Sequence, residues 1–86
     1  MSRFARRAGK RDAIEPFIVG LLRHRGYLVM QLDTFDLLVF KHGQFWIVEV
    51  KSGEKPKLTN HQVKLLADGW PLVIIRSVEE AEGRFP

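Results

Sequence analysis

The stretch from Asp36 to Lys51 constrains the fold more tightly than any other part of the chain. Asp36-Leu37-Leu38-Val39-Phe40 and Phe45-Trp46-Ile47-Val48-Glu49-Val50-Lys51 are two runs rich in apolar, β-branched and aromatic residues, and Lys41-His42-Gly43-Gln44 between them is a turn signal. The pattern predicts a β-hairpin. With His42 and Gly43 as the central residues of a two-residue turn, Lys41 pairs with Gln44, Phe40 with Phe45, and the series runs on to Asp36 opposite Glu49. A three-residue turn would slip the pairing by one and put the carboxylates on different faces. In the first register the two anions stand with Cβ atoms ~4.5–5.5 Å apart and repel unless a cation or a proton lies between them. Alternation puts Lys51 on the face of Glu49, diagonal to Asp36. Two carboxylates and an amine therefore converge at the open end of the hairpin, although alternation alone also allows Glu49 and Lys51 to line a solvated strand face.

The remaining elements follow from periodicity and punctuation. Ile14, Phe17, Ile18, Leu21 and Leu22 recur at helical spacing between Asp12 and Arg25, with Gly26 as the stop. Asp12 and Glu15 have capping-box spacing, but Pro16 restricts Glu15, which leaves a second start at Pro16 with Glu15 as cap. Glu15 flanks the apolar stripe and is in reach of the sheet's edge, and it also suits a plain helix-start carboxylate favoured by the dipole. Tyr27 to Leu32 reads as a strand, Asp33-Thr34 as a break and Ser52 to Leu58 as a polar loop. Thr59-Asn60-His61-Gln62 is a capping box opening a helix through Leu66, closed by Asp68-Gly69. Leu72 to Ile75 is a short strand, and Ser77-Val78-Glu79-Glu80 is a second capping box for a final helical turn before Gly83. The expected fold is α/β, in the order α-β-β-β-α-β with a short C-terminal helix, around a mixed sheet. Trp46 and Trp70 suit core or interface anchors.

Length and charge bound the function. A chain of 86 residues has room for one domain and buries only about 60% of its unfolded surface, so its core is thin and a self-associating surface is expected. The absence of cysteine excludes disulfides, thiolate chemistry and the common zinc-finger ligand sets, and His24, His42 and His61 do not cluster by spacing. No apolar run approaches the ~20 residues of a membrane span, and Met1 to Arg11 lacks a signal-peptide core, so a soluble, cytoplasmic protein is expected. The net charge of +4 points to a polyanionic partner. Arg3, Arg6, Arg7, Lys10 and Arg11 precede the first acidic residue, which divides the chain into a basic arm, 1–11, and a domain, 12–86. Such an arm neutralises phosphates without reading bases, or else serves only as a solubilising tail. Lys55, Lys57 and Lys64 follow the hairpin and are further candidate phosphate contacts. The hairpin's charged end suits phosphodiester hydrolysis with Mg²⁺ or Mn²⁺: carboxylates hold the ion and the lysine orients water and offsets phosphate charge.

At these residues the chain resembles a known family. Asp36 followed by Glu49-Val50-Lys51 resembles the signature of the PD-(D/E)XK nuclease superfamily. The wider pattern is similar to the VRR-NUC family, in particular its small stand-alone members associated with phages. It consists of Arg11-Asp12 with Glu15, Asp36, Glu49-Val50-Lys51, Leu58-Thr59-Asn60-His61-Gln62 and Arg76-Ser77-Val78-Glu79-Glu80-Ala81. The resemblance implies a restriction-endonuclease-like fold and a divalent-metal-dependent DNA endonuclease. Asp36, Glu49 and the Val50 backbone carbonyl would hold the ion, with Glu15 as a further candidate ligand. Lys51 would position the water, and Glu15 and Gln62 would complete the site. It also implies a homodimer selective for branched DNA such as Holliday junctions, no organic cofactor, and a place of action in the host cytoplasm. The chain departs from the family in Asp33-Thr34-Phe35, where Gly-x-Pro is usual before the Asp, in Ile14, where Asn is common, and in Pro16. The competing expectations are a non-catalytic nucleic-acid-binding module that keeps the nuclease fold, and an interaction protein whose purpose is its apolar surface.

Overall fold

His42 and Gly43 both take positive φ, 53° and 78°, the combination that a two-residue type I′ turn requires and that matches the twist of the strands it joins. In this computed structural model, which describes residues 12–53 and 57–86, the turn links β2 (Leu37–Lys41) to β3 (Gln44–Val50). Lys41 pairs with Gln44, Phe40 with Phe45 and Leu37 with Val48. The register is the one expected from the two-residue turn, and Asp36 and Glu49 flank its last pair, Leu37 with Val48.

The other described elements are α1 (Glu15–His24), β1 (Leu28–Gln31), α2 (Asn60–Asp68), β4 (Leu72–Ile75) and α3 (Val78–Arg84). The sheet order is β1-β2-β3-β4, with the first three strands an antiparallel meander and β4 parallel to β3 after the α2 crossover. The chain is thus an α/β domain with a mixed sheet in the expected element order. Four backbone details differ from expectation. Helix α1 begins at Glu15 behind Ile14, with no side-chain cap. Asp12 instead accepts from the Ile14 amide, an Asx-type turn, and Glu15 turns its side chain inward. Helix α2 extends to Asp68 before Gly69 closes it at φ 93°. The last helix runs through Gly83 to Arg84, and its capping box is only half formed. Ser77 accepts from the Glu80 amide, but the Glu80 carboxylate turns back to the Arg76 amide and guanidinium. Those bonds, the amide first, hold the Glu80 carboxyl below its ordinary pKa.

One face of the sheet carries the core. Leu37, Val39, Val48, Val50 and Ile75 pack against Ile18, Val19 and Leu22 of α1 and Ala81 of α3, with Phe85 sealing the end. Burial of each Val, Leu, Ile or Phe side chain among them contributes about 1.5–3 kcal/mol relative to exposure. Tyr27, Trp46 and Phe85 form a three-way edge-to-face cluster with ring centroids 5.4–6.1 Å apart. Arg25 donates to the Glu82 and Phe85 carbonyls and Tyr27 to that of Pro86, so the C-terminus is tied to the end of α1. Trp46 is accordingly a core anchor, while Trp70 is half exposed.

The opposite face is less covered. The register sets Leu28, Phe40 and Phe45 in one row across three strands, and all three are exposed. Met30, Leu38 and Ile47 form the next row, and alternation along β3 puts Glu49 on the same face as Ile47. Among the described residues no helix is long and apolar enough to cross a membrane.

Candidate active site

Four polar residues are buried among the described ones: Glu15 at 0% exposure, Asp36 at 5%, Glu49 at 4% and Gln62 at 6%. Burying a carboxylate is costly unless hydrogen bonds or a cation compensate it, so these positions are held by more than surface chemistry. All four are residues that the sequence pattern singles out. Glu49 in particular does not line a solvated strand face.

Asp36 and Glu49 are interlocked through the backbone. The Asp36 amide donates to Glu49 Oε2 at 3.2 Å, and the Val50 amide donates to Asp36 Oδ2 at 2.7 Å. Each carboxylate thus fixes the chain that carries the other. The Asp36 carbonyl also accepts from the Leu32 amide at 3.0 Å, which fastens the segment leading into β2 to the end of β1. An ionised carboxylate is a hard oxygen acceptor of the kind that also binds Mg²⁺ or Mn²⁺.

Lys51 follows β3 directly. Its amide donates to the Ile75 carbonyl at 2.9 Å, and its side chain is half-buried, on the Glu49 face by alternation. The next residue is also held: Ser52 donates to Asp12 Oδ2 through its amide at 2.9 Å and its hydroxyl at 2.7 Å. Burial works against ionisation of Asp12, but the bonds from the Ile14 amide, the Ser52 hydroxyl and the Ser52 amide outweigh it and hold its pKa below the ordinary value. Asp12 therefore ties the start of α1, and so Glu15, to the end of β3, and so Lys51.

Glu15 does reach the sheet's edge. Its Oε2 accepts from Gln31 Nε2 at 3.0 Å, and Gln31 pairs in register with Leu37, the neighbour of Asp36. Gln62 closes the box that opens α2: its Oε1 accepts from the Thr59 amide and its own amide donates to Thr59 Oγ1. The Gln62 carbonyl is committed to that cap. Beside it, the His61 ring meets the Phe35 ring at a centroid distance of 5.7 Å, which brings the N-terminus of α2 to the residue before Asp36. Lys57 and Lys64 are exposed. Arg3, Arg6, Arg7, Lys10, Arg11 and Lys55 lie outside the described residues.

The contributions of Gln31, Ser52, Phe35 and His61 were not foreseen. Gln31 alone left a signal, as a polar side chain inside an apolar strand; the other contacts join segments too distant in sequence to be read from it.

Among the described residues no group of three or more His, Asp or Glu side chains is placed to hold an ion unaided. What the fold brings together is a pair of hard oxygen donors with a lysine next in the chain. That set fits Mg²⁺ or Mn²⁺ as such ions are commonly held at phosphate-processing sites, by one or two carboxylates with water and substrate phosphate completing the shell. A hollow of about 590 Å³ lies elsewhere, on the apolar sheet face between Tyr27, Leu28, Met30, Leu38 and Phe40. Arg23 is the charged residue of its lining, and none of the four buried polar residues borders it. Comparison with protein-family models, curated proteins and solved structures finds no match to this chain.

Proposed function

We propose that the protein is a divalent-metal-dependent DNA endonuclease of the VRR-NUC type within the PD-(D/E)XK superfamily. The observation that carries this reading is the buried, interlocked pair Asp36 and Glu49 with Lys51 two residues beyond Glu49. Asp36, Glu49 and the Val50 carbonyl would hold Mg²⁺ or Mn²⁺, with Glu15 as a further candidate ligand. The bound ion supplies Lewis-acid polarisation of the phosphate and a more acidic water. Lys51 orients the attacking water and offsets charge on the phosphate. Glu15, through Gln31, keeps the edge strand in place, and Gln62 fixes the start of α2 beside the site. The basic arm, Lys57 and Lys64 supply the sequence-independent attraction to DNA.

A second copy of the chain suits the exposed row Leu28, Phe40 and Phe45, because a twofold axis would cover apolar surface that a thin core leaves open. A dimer presents two sites to the two symmetric strands of a branched substrate such as a four-way junction.

One observation favours a second reading. Both carboxylates already serve as acceptors for backbone amides, so they also suit a structural latch in a non-catalytic nucleic-acid-binding module. Incubation of purified protein with plasmid and four-way-junction DNA, with Mg²⁺ or with EDTA, separates the two. Metal-dependent incision in symmetric pairs near the branch is expected, and binding without incision in any divalent metal would leave the second reading in its place.

A further inference from the structure

We propose that Phe35 and His61 form an aromatic shelf at the rim of the site, on which an unpaired nucleobase beside the scissile phosphate stacks. The inference rests on the nuclease reading and specifies its substrate: nucleic acid with at least one unstacked nucleotide next to the cut. Phe35 is bonded to Asp36 and His61 lies in the first turn of α2, so the ring pair joins the segment that carries Asp36 to the N-terminus of that helix. They meet at 5.7 Å with their planes 37° apart. The buried aromatic cluster of Tyr27, Trp46 and Phe85 packs into the core, and neither ring belongs to it. Phe35 is half-buried and His61 exposed. A phenyl ring backed by the domain with an exposed imidazole beside it offers π surface at the solvent boundary.

Three features suit a base there. A phosphate next to the carboxylate pair brings its own nucleotides within reach of residues adjoining Asp36. Lys64 is exposed three residues after His61, on the same side of α2, where it neutralises a neighbouring phosphate. Stacking accepts any base, because every base has a π face, which suits a protein whose sequence shows no base-reading helix. A base inside a duplex is already stacked between its neighbours, so the shelf favours single strands, ends and branch points over intact duplex.

The test uses the full chain and a short oligonucleotide carrying 2-aminopurine at the unpaired position, bound in Ca²⁺ to keep it uncut. Stacking quenches the fluorophore, and a base–aromatic stack is worth roughly 5- to 150-fold in affinity. Phe35→Ala and His61→Ala are expected to lose the quench and weaken binding within that range, whereas His61→Phe and Phe35→Trp retain both. His61 is exposed, so its variants fold even where Phe35→Ala does not. A cleavage cycle supplies the second readout: Phe35→Ala and His61→Ala should slow cutting of the base-bearing strand but not of one abasic at that position. An unchanged quench in both alanine variants, or equal slowing on base-bearing and abasic strands, overturns the shelf. A protein that shows the full quench pattern yet cuts no DNA in Mg²⁺ or Mn²⁺ upholds the shelf and sinks the nuclease reading instead.

Discussion

Asp36 separates the structural and chemical uses of a buried carboxylate. Its Oδ2 accepts the Val50 amide at 2.7 Å in a site only 5% exposed. Asp36→Ala strands that amide, which costs about 1–3 kcal/mol. For a domain of this size each kcal/mol lowers Tm by roughly 4–8 °C, so a loss near 2 kcal/mol places the Ala variant on the order of 10 °C below wild type. Asp36→Asn keeps an oxygen for the Val50 amide and removes one of two opposed negative charges, so its metal-free melting point is expected at or above that of wild type. In cleavage the two variants do not separate. Both variants lose a metal ligand and should fall beyond the 10- to 100-fold typical of losing an outer-shell partner. Mg²⁺ at a hundred times its Kd should stabilise wild type by about 2.7 kcal/mol and Asp36→Asn far less. Melting by circular dichroism with EDTA and with Mg²⁺, beside plasmid nicking, checks all of this. An Asn variant that cuts at the wild-type rate refutes the assignment of Asp36 to the metal, and an Ala variant that melts as high as Asn refutes the amide argument.

Four further outcomes are expected. Thr59→Ala removes the acceptor of the Gln62 amide and should cost about 1 kcal/mol, a fall of roughly 4–8 °C that Thr59→Ser avoids. Asp12 is held below its ordinary pKa of 3.8, so its contribution is fully present above that pH and is lost as the pH falls through the folded value. In melts taken from about pH 5 down to about pH 2, Asp12→Asn should therefore decline less steeply than wild type. Removal of residues 1–10 takes away Arg3, Arg6, Arg7 and Lys10, and should flatten the dependence of log K on log salt by up to about 3.6 on duplex DNA while cleavage at saturating substrate persists. Phe45→Lys puts a charge in the exposed apolar row, and light scattering should fall from twice the chain mass to one chain with little change in folding.

The sequence by itself determined what depends on neighbours along the chain. Gly43 and His42 accept the positive φ values of a two-residue turn, and from that one turn the pairing runs outward to Leu37 and Val48, the neighbours of Asp36 and Glu49. Thr59 and Gln62 lie three residues apart, so their reciprocal cap was legible for the same reason. Where two local partners compete, the sequence does not rank them. Asp12 and Glu15 have the spacing of a cap, yet Asp12 gives one oxygen to Ser52, forty residues away, and Glu15 turns inward to Gln31. Glu80 likewise leaves its own box for the Arg76 guanidinium. Only the tertiary structure decided the partners of Asp12 and Glu15, because the approach of α1 to the sheet, rather than spacing, brings Ser52 and Gln31 within about 3 Å of them, whereas Glu80 chose between two local partners. The depth of burial was decided in the same way. Strand alternation gives Glu49 a face, but the surroundings that make that face a buried site come from distant parts of the chain.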